Sequence, residues 1–364
     1  SNNEPANATD IAQMKKLVHE AIDAGALGVS TSRVLGHRAM NGEPVPGTFA
    51  AEDELYGLGE ALRDAGSGVF ELAPAGADGQ DLGNAPKEME WMKRLSATIQ
   101  RPVTFALLQN ETEPSLWKQL LEESLEATEQ GSQCFPQVAG RPFGLLIGLQ
   151  THHAFAKRPT FITIAHLPHN ELVEQLKQSS TRNAILTETD TDPDPKILFD
   201  GMSRMIQSML HRLYPMGEIP DYEPDPTKSF VSIAETKNTT PEAVLYDYML
   251  ENDGYAMGMM PIFNYVDGNH DVIREMLLHP QAVSGLSDGG AHCGMICDAS
   301  IPTFMLSHWT RDRTRGKKLP LEWIIKKQTN DTASLYGLND RGTLQVGKRA
   351  DINVIDYNAL TLHG

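Results

Sequence analysis

An α/β barrel of parallel βα units is the fold this sequence predicts, and three observations predict it. Short apolar runs rich in strand formers alternate with longer amphipathic stretches, the pattern of strands joined by crossover helices. Neither Gly-x-Gly-x-x-Gly nor Gly-x4-Gly-Lys-[Ser/Thr] is present, so the nucleotide-binding open sheets lose ground to a barrel. A strand-like run over 282–286 leads directly into an acid, two glycines and a histidine, and barrels carry their functional groups at the C-terminal ends of strands.

The elements follow in order. Residues 25–31 read as a strand, and 51–64 as a helix with Leu55, Leu58 and Leu62 on one face. A strand over 68–73 precedes a helix over 86–99 that starts on Pro86. A strand over 102–108, a helix over 114–129 and a strand over 133–138 continue the alternation. From about 140 to 235 the pattern loosens, and Pro193, Pro195, Pro215, Pro220, Pro224 and Pro226 predict a long excursion over the body. Regularity returns with a helix over 241–251, a strand-like run over 257–265, a helix over 271–278 and the strand over 282–286. Helices over 301–311 and 319–336 come next, and 342–356 reads as paired strands turning at Gly347.

Composition excludes several functions. The 364 residues hold 48 acidic and 31 basic side chains, a formal charge of −17, which disfavours nucleic acid and anionic lipid as partners. The longest apolar run, 143–149, is far below the roughly 20 residues that span a bilayer. Three cysteines (Cys134, Cys293, Cys297) make no disulfide framework and favour a reducing, cytoplasmic setting.

Chemistry concentrates after the last strand. Asp288 stands where βα loops begin, Gly289 and Gly290 allow close backbone approach, and His292 follows two residues later. Gly285, Ser287 and Gly289 also spell the Gly-x-Ser-x-Gly of a serine nucleophile, but glycine-rich sequence is a poor start for the helix such a serine needs. Glu71 interrupts an apolar strand, where a carboxylate must be paired, ligating or facing a polar cavity. Gln109 ends the next strand and can face the same lumen. Arg33 and Arg141 are candidates to hold a substrate carboxylate by a two-pronged contact.

Residues 25–33 (with Gly28, Ser30, Thr31 and Arg33) and the Pro44-Val45-Pro46-Gly47-Thr48 run resemble the N-acyl-D-amino-acid deacylase (D-aminoacylase-like) branch of the amidohydrolase superfamily. Ser287-Asp288-Gly289-Gly290-Ala291-His292 and the run over 338–352 strengthen the resemblance. It implies a (β/α)8 TIM-like barrel of the metal-dependent hydrolase type over 1–340, incomplete at its N-terminus, and strands of a small β-sandwich over 341–364. It also implies a divalent metal, zinc in that branch, with Asp288 as both ligand and general base. The branch's first-strand His-x-His is absent, so the resemblance further implies early strands supplied by a preceding segment or a companion chain. Its later metal histidines align with Ala73 and Leu107; either Glu71, on the face of Ala73, substitutes as a ligand, or the site holds fewer metals.

The expected function is hydrolysis of a non-peptide C–N bond, deacylation of an N-acyl amino acid by activated water. Asp288 acts as base, Asp288 and Glu71 as metal ligands, and Arg33, Gln109, Arg141 and His292 contact the small amide substrate; a homo-oligomer is compatible with this. A repurposed, non-catalytic binding protein is the alternative, and a serine hydrolase using Ser287 the more distant one.

Overall fold

The computed structural model describes residues 4–39, 41–77, 79, 81–194, 197, 199–287, 295–296 and 298–362. Eight strands lie among them: β1 Gly28–Ser32, β2 Val69–Ala73, β3 Val103–Ala106, β4 Cys134–Ala139, β5 Gly144–Ile147, β6 Tyr214–Pro215, β7 Gly258–Pro261 and β8 Val283–Gly285. The chain divides into two compact units, one of residues 1–140, 271–286 and 301–360, the other of residues 141–270, 287–300 and 361–364.

The first unit is a parallel five-stranded sheet, ordered β1-β2-β3-β4-β8, crossed by helices. Helices α1 Ala8–Asp23, α2 Glu52–Ala65, α3 Ala85–Ile99 and α4 Leu116–Glu129 fill the early crossovers. Helix α1, which the strand-helix reading passed over, starts with a reciprocal Asn7–Asp10 capping box, and that signature was available in the sequence. Three acidic residues open α2 against the helix dipole, and Gly66 closes it in the left-handed conformation a side chain disfavours. Phe70 meets the Trp91 ring edge-on at 6.4 Å, which fixes the helix-facing side of β2. Alternation then turns Glu71 to the opposite face. The parallel alternation is therefore as expected; among the described residues this sheet has five strands, β1 and β8 are not paired, and closure into a barrel is not detected.

The second unit occupies much of the stretch read as an irregular excursion, and it has its own core. Phe155, Phe161, Leu176, Ile206, Leu213, Phe230, Leu245 and Tyr246 pack together there. Its sheet is antiparallel, ordered β5-β7-β6, so the strand expected near 257–265 serves this unit and not the parallel sheet. Pro159 and Pro226 in this region sit in the first turns of helical segments, where a missing N–H costs nothing, as does Pro241, which starts the helix expected over 241–251.

The strands expected over 342–356 are not formed. Gln345 accepts from the Lys348 N–H across a turn in which Gly347 takes a positive φ, so the turn chemistry is as read. The arms carry no ladder, and Leu344, Val346 and Val354 are 86, 109 and 98% exposed. A two-stranded hairpin with no face to bury is marginal in water, and no described strand offers these arms a third partner. The helix over 319–336 is interrupted by a π-turn at Lys327–Asp331, and that over 301–311 ends in another at His308–Asp312. No described helix is long and apolar enough to cross a membrane.

Candidate active site

Within the first unit, strand register lines up Ser30, Glu71, Thr104 and Phe135 on one face of the sheet. Glu71 Oε1 accepts from Gln137 Nε2 at 3.4 Å. Around them Val69, Val283 and Leu335 are buried, with Phe135 and Tyr336 packed alongside. Burial pushes the Tyr336 phenol above its ordinary pKa, and the neighbouring Glu71 charge adds to that. The sheet thus keeps one carboxylate on a face otherwise made of hydroxyl, amide and apolar groups. Ala73 and Leu107 supply no metal donor.

Gln109 is buried past the end of β3, and its amide donates to the Pro114 carbonyl at 3.4 Å. Beside it, Asn110 Oδ1 accepts from the Glu113 N–H at 2.8 Å, so the loop entering α4 is braced from within. Arg33 directly follows β1. Its Nε donates to both Glu88 oxygens, at 3.0 and 2.8 Å, and its Nη1 to the Ala50 carbonyl at 2.8 Å. Glu88 also accepts from the Ala75 N–H, so one buried carboxylate ties the exits of β1 and β2 to α3. These groups border a cavity of about 390 Å³, lined also by Thr48, Phe49, Lys87 and Trp91. The Nε edge of Arg33 already grips a carboxylate, and it belongs to the protein.

Arg141 lies in the second unit and is fully buried. Its Nη2 is 3.6 Å from Asp298 Oδ1, and its guanidinium lies 3.6 Å from the centre of the Tyr222 ring. Asp288 and His292 lie outside the described residues. Ser287 is described, and the positive φ at this strand end falls on Leu286, not on the serine, unlike the strained serine of a nucleophile elbow.

The sequence reading missed a second buried polar group. His270 is 0% and Glu223 2% exposed. The His270 backbone N–H donates to Glu223 Oε1 at 2.8 Å, and His270 Nδ1 stands 3.7 Å from Glu223 Oε2. On its other side, His270 Nε2 meets the Tyr222 carbonyl at 2.8 Å; a carbonyl only accepts, so Nε2 carries the proton. The two residues are 47 apart in the chain, which no local spacing rule detects. His153, by contrast, is an ordinary core histidine. It accepts from the Phe155 N–H, lies edge-on to Phe161 at 4.5 Å, and burial lowers its pKa to about 4.

As holders of a divalent metal, the two groups differ. Glu71 is one oxygen donor with an amide and a phenol beside it, short of the three protein ligands of a catalytic zinc site. Glu223 and His270 supply two donors, a carboxylate and an imidazole whose far nitrogen is held by a carbonyl, which is also short of three.

Comparison with known proteins places the chain. An uncharacterised protein of Mycobacterium tuberculosis and one of Mycobacterium bovis are each 25% identical to it over 95% of its length. The chain spans 56% of the length of these relatives. Among solved structures, the N-acyl-D-glutamate deacylase of Bordetella bronchiseptica, complexed with zinc and a phosphonate inhibitor, is similar to it. The TM-score is 0.52 at 16% identity, over the whole of this chain and 62% of that one. The sequence model of the amidohydrolase family matches residues 3–363. The chain belongs to the amidohydrolase family.

Proposed function

We propose that this chain hydrolyses an amide bond in a small N-acylated amino acid. The observation that carries the reading is the family match along almost the whole chain, on a parallel sheet whose inner face keeps a carboxylate at Glu71. Asp288 follows the end of β8 by three residues and is the general base of this reading. An ionised carboxylate there takes a proton from the attacking water and returns it to the departing nitrogen. A divalent metal, zinc by analogy with the deacylase, would polarise the carbonyl and acidify water when bound, and Asp288 and Glu71 are the carboxylates offered to it. His292 and Gln109 are the uncharged contacts proposed for the substrate. Arg33 and Arg141 are the guanidinium groups proposed for its carboxylate. The open edge of β1 fits a further strand from a preceding segment or a companion chain.

The experiment is a panel of N-acyl-D- and N-acyl-L-amino acids incubated with the zinc-supplemented chain, free amine being read before and after chelator dialysis. Amine release that the chelator removes and zinc restores is the expected result. Absence of turnover across the panel overturns the reading. One observation favours a second reading, a small-ligand binding protein on the same scaffold: Ala73 and Leu107 place no metal donor where the deacylase resemblance implies histidine. On that reading, N-acyl amino acids raise the thermal midpoint without being cleaved.

A further inference from the structure

We propose that Ser32 and His37 form a nucleophile–base pair that cleaves small acyl esters through an acyl-serine, an activity beyond the metal-dependent amide hydrolysis, which uses neither residue. Ser32 Oγ and His37 Nδ1 stand 2.6 Å apart. That distance is within the reach of an activated serine and its base. The proton between them can be placed. Ser32 Oγ accepts from the Val34 N–H at 3.4 Å, and the imidazole nitrogen is the acceptor offered to its own hydrogen. The serine therefore donates, Nδ1 accepts and the ring carries its proton on Nε2, the tautomer that leaves Nδ1 free to act as a base toward Ser32.

Position supports the chemistry. Ser32 is the last residue of β1, at the C-terminal end of a strand in a parallel sheet, where such sheets present their functional groups. Register pairs Ser30 with Glu71 and Ser32 with Ala73, so Ser32 shares the Glu71 face and β2 sets only a methyl group opposite it. Ser32 and His37 are both half-buried, neither sealed in the core nor fully in water. The base is carried on a braced turn. The His37 N–H donates to the Val34 carbonyl at 3.2 Å, and the His37 carbonyl accepts from the Val45 N–H at 3.2 Å. The Ala39 N–H donates to the Glu43 carbonyl at 2.8 Å across the same hairpin. Holding nucleophile and base in place before the substrate arrives removes part of the entropy cost of the reaction.

In the step proposed, Ser32 Oγ bonds to the acyl carbon while His37 Nδ1 takes the hydroxyl proton. The bond from that carbon to the alcohol oxygen breaks, and the proton passes to the departing oxygen. Water then adds to the acyl-serine, releasing the carboxylic acid and restoring the hydroxyl. An ester suits this pair better than an amide, because an alkoxide leaves more readily than an amide nitrogen.

The test uses the full chain after chelator dialysis, so that no metal contributes. A fluorophosphonate probe is added and the labelled peptide is identified by mass spectrometry; turnover is read as p-nitrophenol released from p-nitrophenyl acetate. Expected are label on Ser32, ester cleavage, loss of both in Ser32→Ala, and labelling about a hundredfold slower in His37→Gln, the low end of what a general base contributes. A histidine with a merely structural role would leave the labelling rate of folded His37→Gln unchanged, and that result overturns the proposal. A wild-type chain that takes no label overturns it too, as does label confined to another serine, Ser287 included. If His37→Gln does not fold, the mapped label and Ser32→Ala decide alone. Amide hydrolysis stands or falls separately, because it is scored in amine released by the zinc-loaded chain and this activity in label on the chelated one.

Discussion

Replacing Glu88 with alanine strands the Arg33 guanidinium beside a space it cannot fill. Glu88 is 5% exposed, and the change deletes both Nε contacts of Arg33 and the bond from the Ala75 N–H. Breaking a buried ion pair from one side costs about 3–5 kcal/mol, because the remaining charge stays desolvated. The Arg33 side chain keeps 16% of its surface in water, which puts the expectation at the low end, about 3 kcal/mol. The exposed Arg94–Glu52 pair is the internal control; solvated pairs of its kind contribute from nothing to about 1 kcal/mol. The assay is equilibrium urea unfolding of Glu88→Ala, Glu52→Ala and the double change Arg33→Met with Glu88→Leu, followed by far-ultraviolet circular dichroism. Glu88→Ala should lose several times more stability than Glu52→Ala, and the double variant should recover most of the loss. Equal losses in Glu88→Ala and Glu52→Ala would refute the reasoning that this pair is buried structure.

Other expectations follow from the same geometry. Burial holds His153 at a pKa of about 4 against an ordinary 6.5, so the unfolded chain binds the extra proton between those values. Stability from this group is therefore complete above about pH 6.5 and falls as pH drops toward 4, by up to about 3 kcal/mol; His153→Leu should flatten that limb in urea titrations at stepped pH. The Cys134 thiol is buried and its pKa pushed up to about 12, so peptide mapping after alkylation at pH 8 should find it unmodified in folded protein and modified in urea. Phe70→Ala removes a fully buried ring from the helix-facing side of the sheet and should cost about 3–5 kcal/mol in urea unfolding. Brief trypsin treatment should cut first near Lys348 and Arg349, in the exposed and unladdered stretch.

The parallel half of the fold was legible because its signals are local. Periodicity, Pro86 at a helix start and Gly66 at a helix end each act within one element, and β1 to β4 and β8 fall within a few residues of their expected places. The second unit was only partly legible: the helix from Pro241 was read in place, but Pro226, taken as part of an irregular excursion, begins a helical turn. The strands over 342–356 failed for another reason: alternation supplies a propensity, but a strand needs a neighbour, and none is described beside Leu344 or Val354. For the site, Glu71 stood out as a charge in an apolar run, and the structure shows what it touches. Arg33 and Arg141 stood out as guanidinium groups, but only coordinates show that Glu88 and Asp298 are beside them. Glu223 and His270 carried no signal at all, since their relation exists only through the fold.

The most direct test of the central claim is the rate of amide hydrolysis by the wild-type chain beside Asp288→Asn, both loaded with zinc and both checked for the same circular dichroism. A general base contributes about 10²- to 10⁴-fold, so the account predicts measurable turnover in the wild type and at least a hundredfold loss in the variant. Equal turnover in the two, or none in the wild type on any N-acyl amino acid, would contradict it.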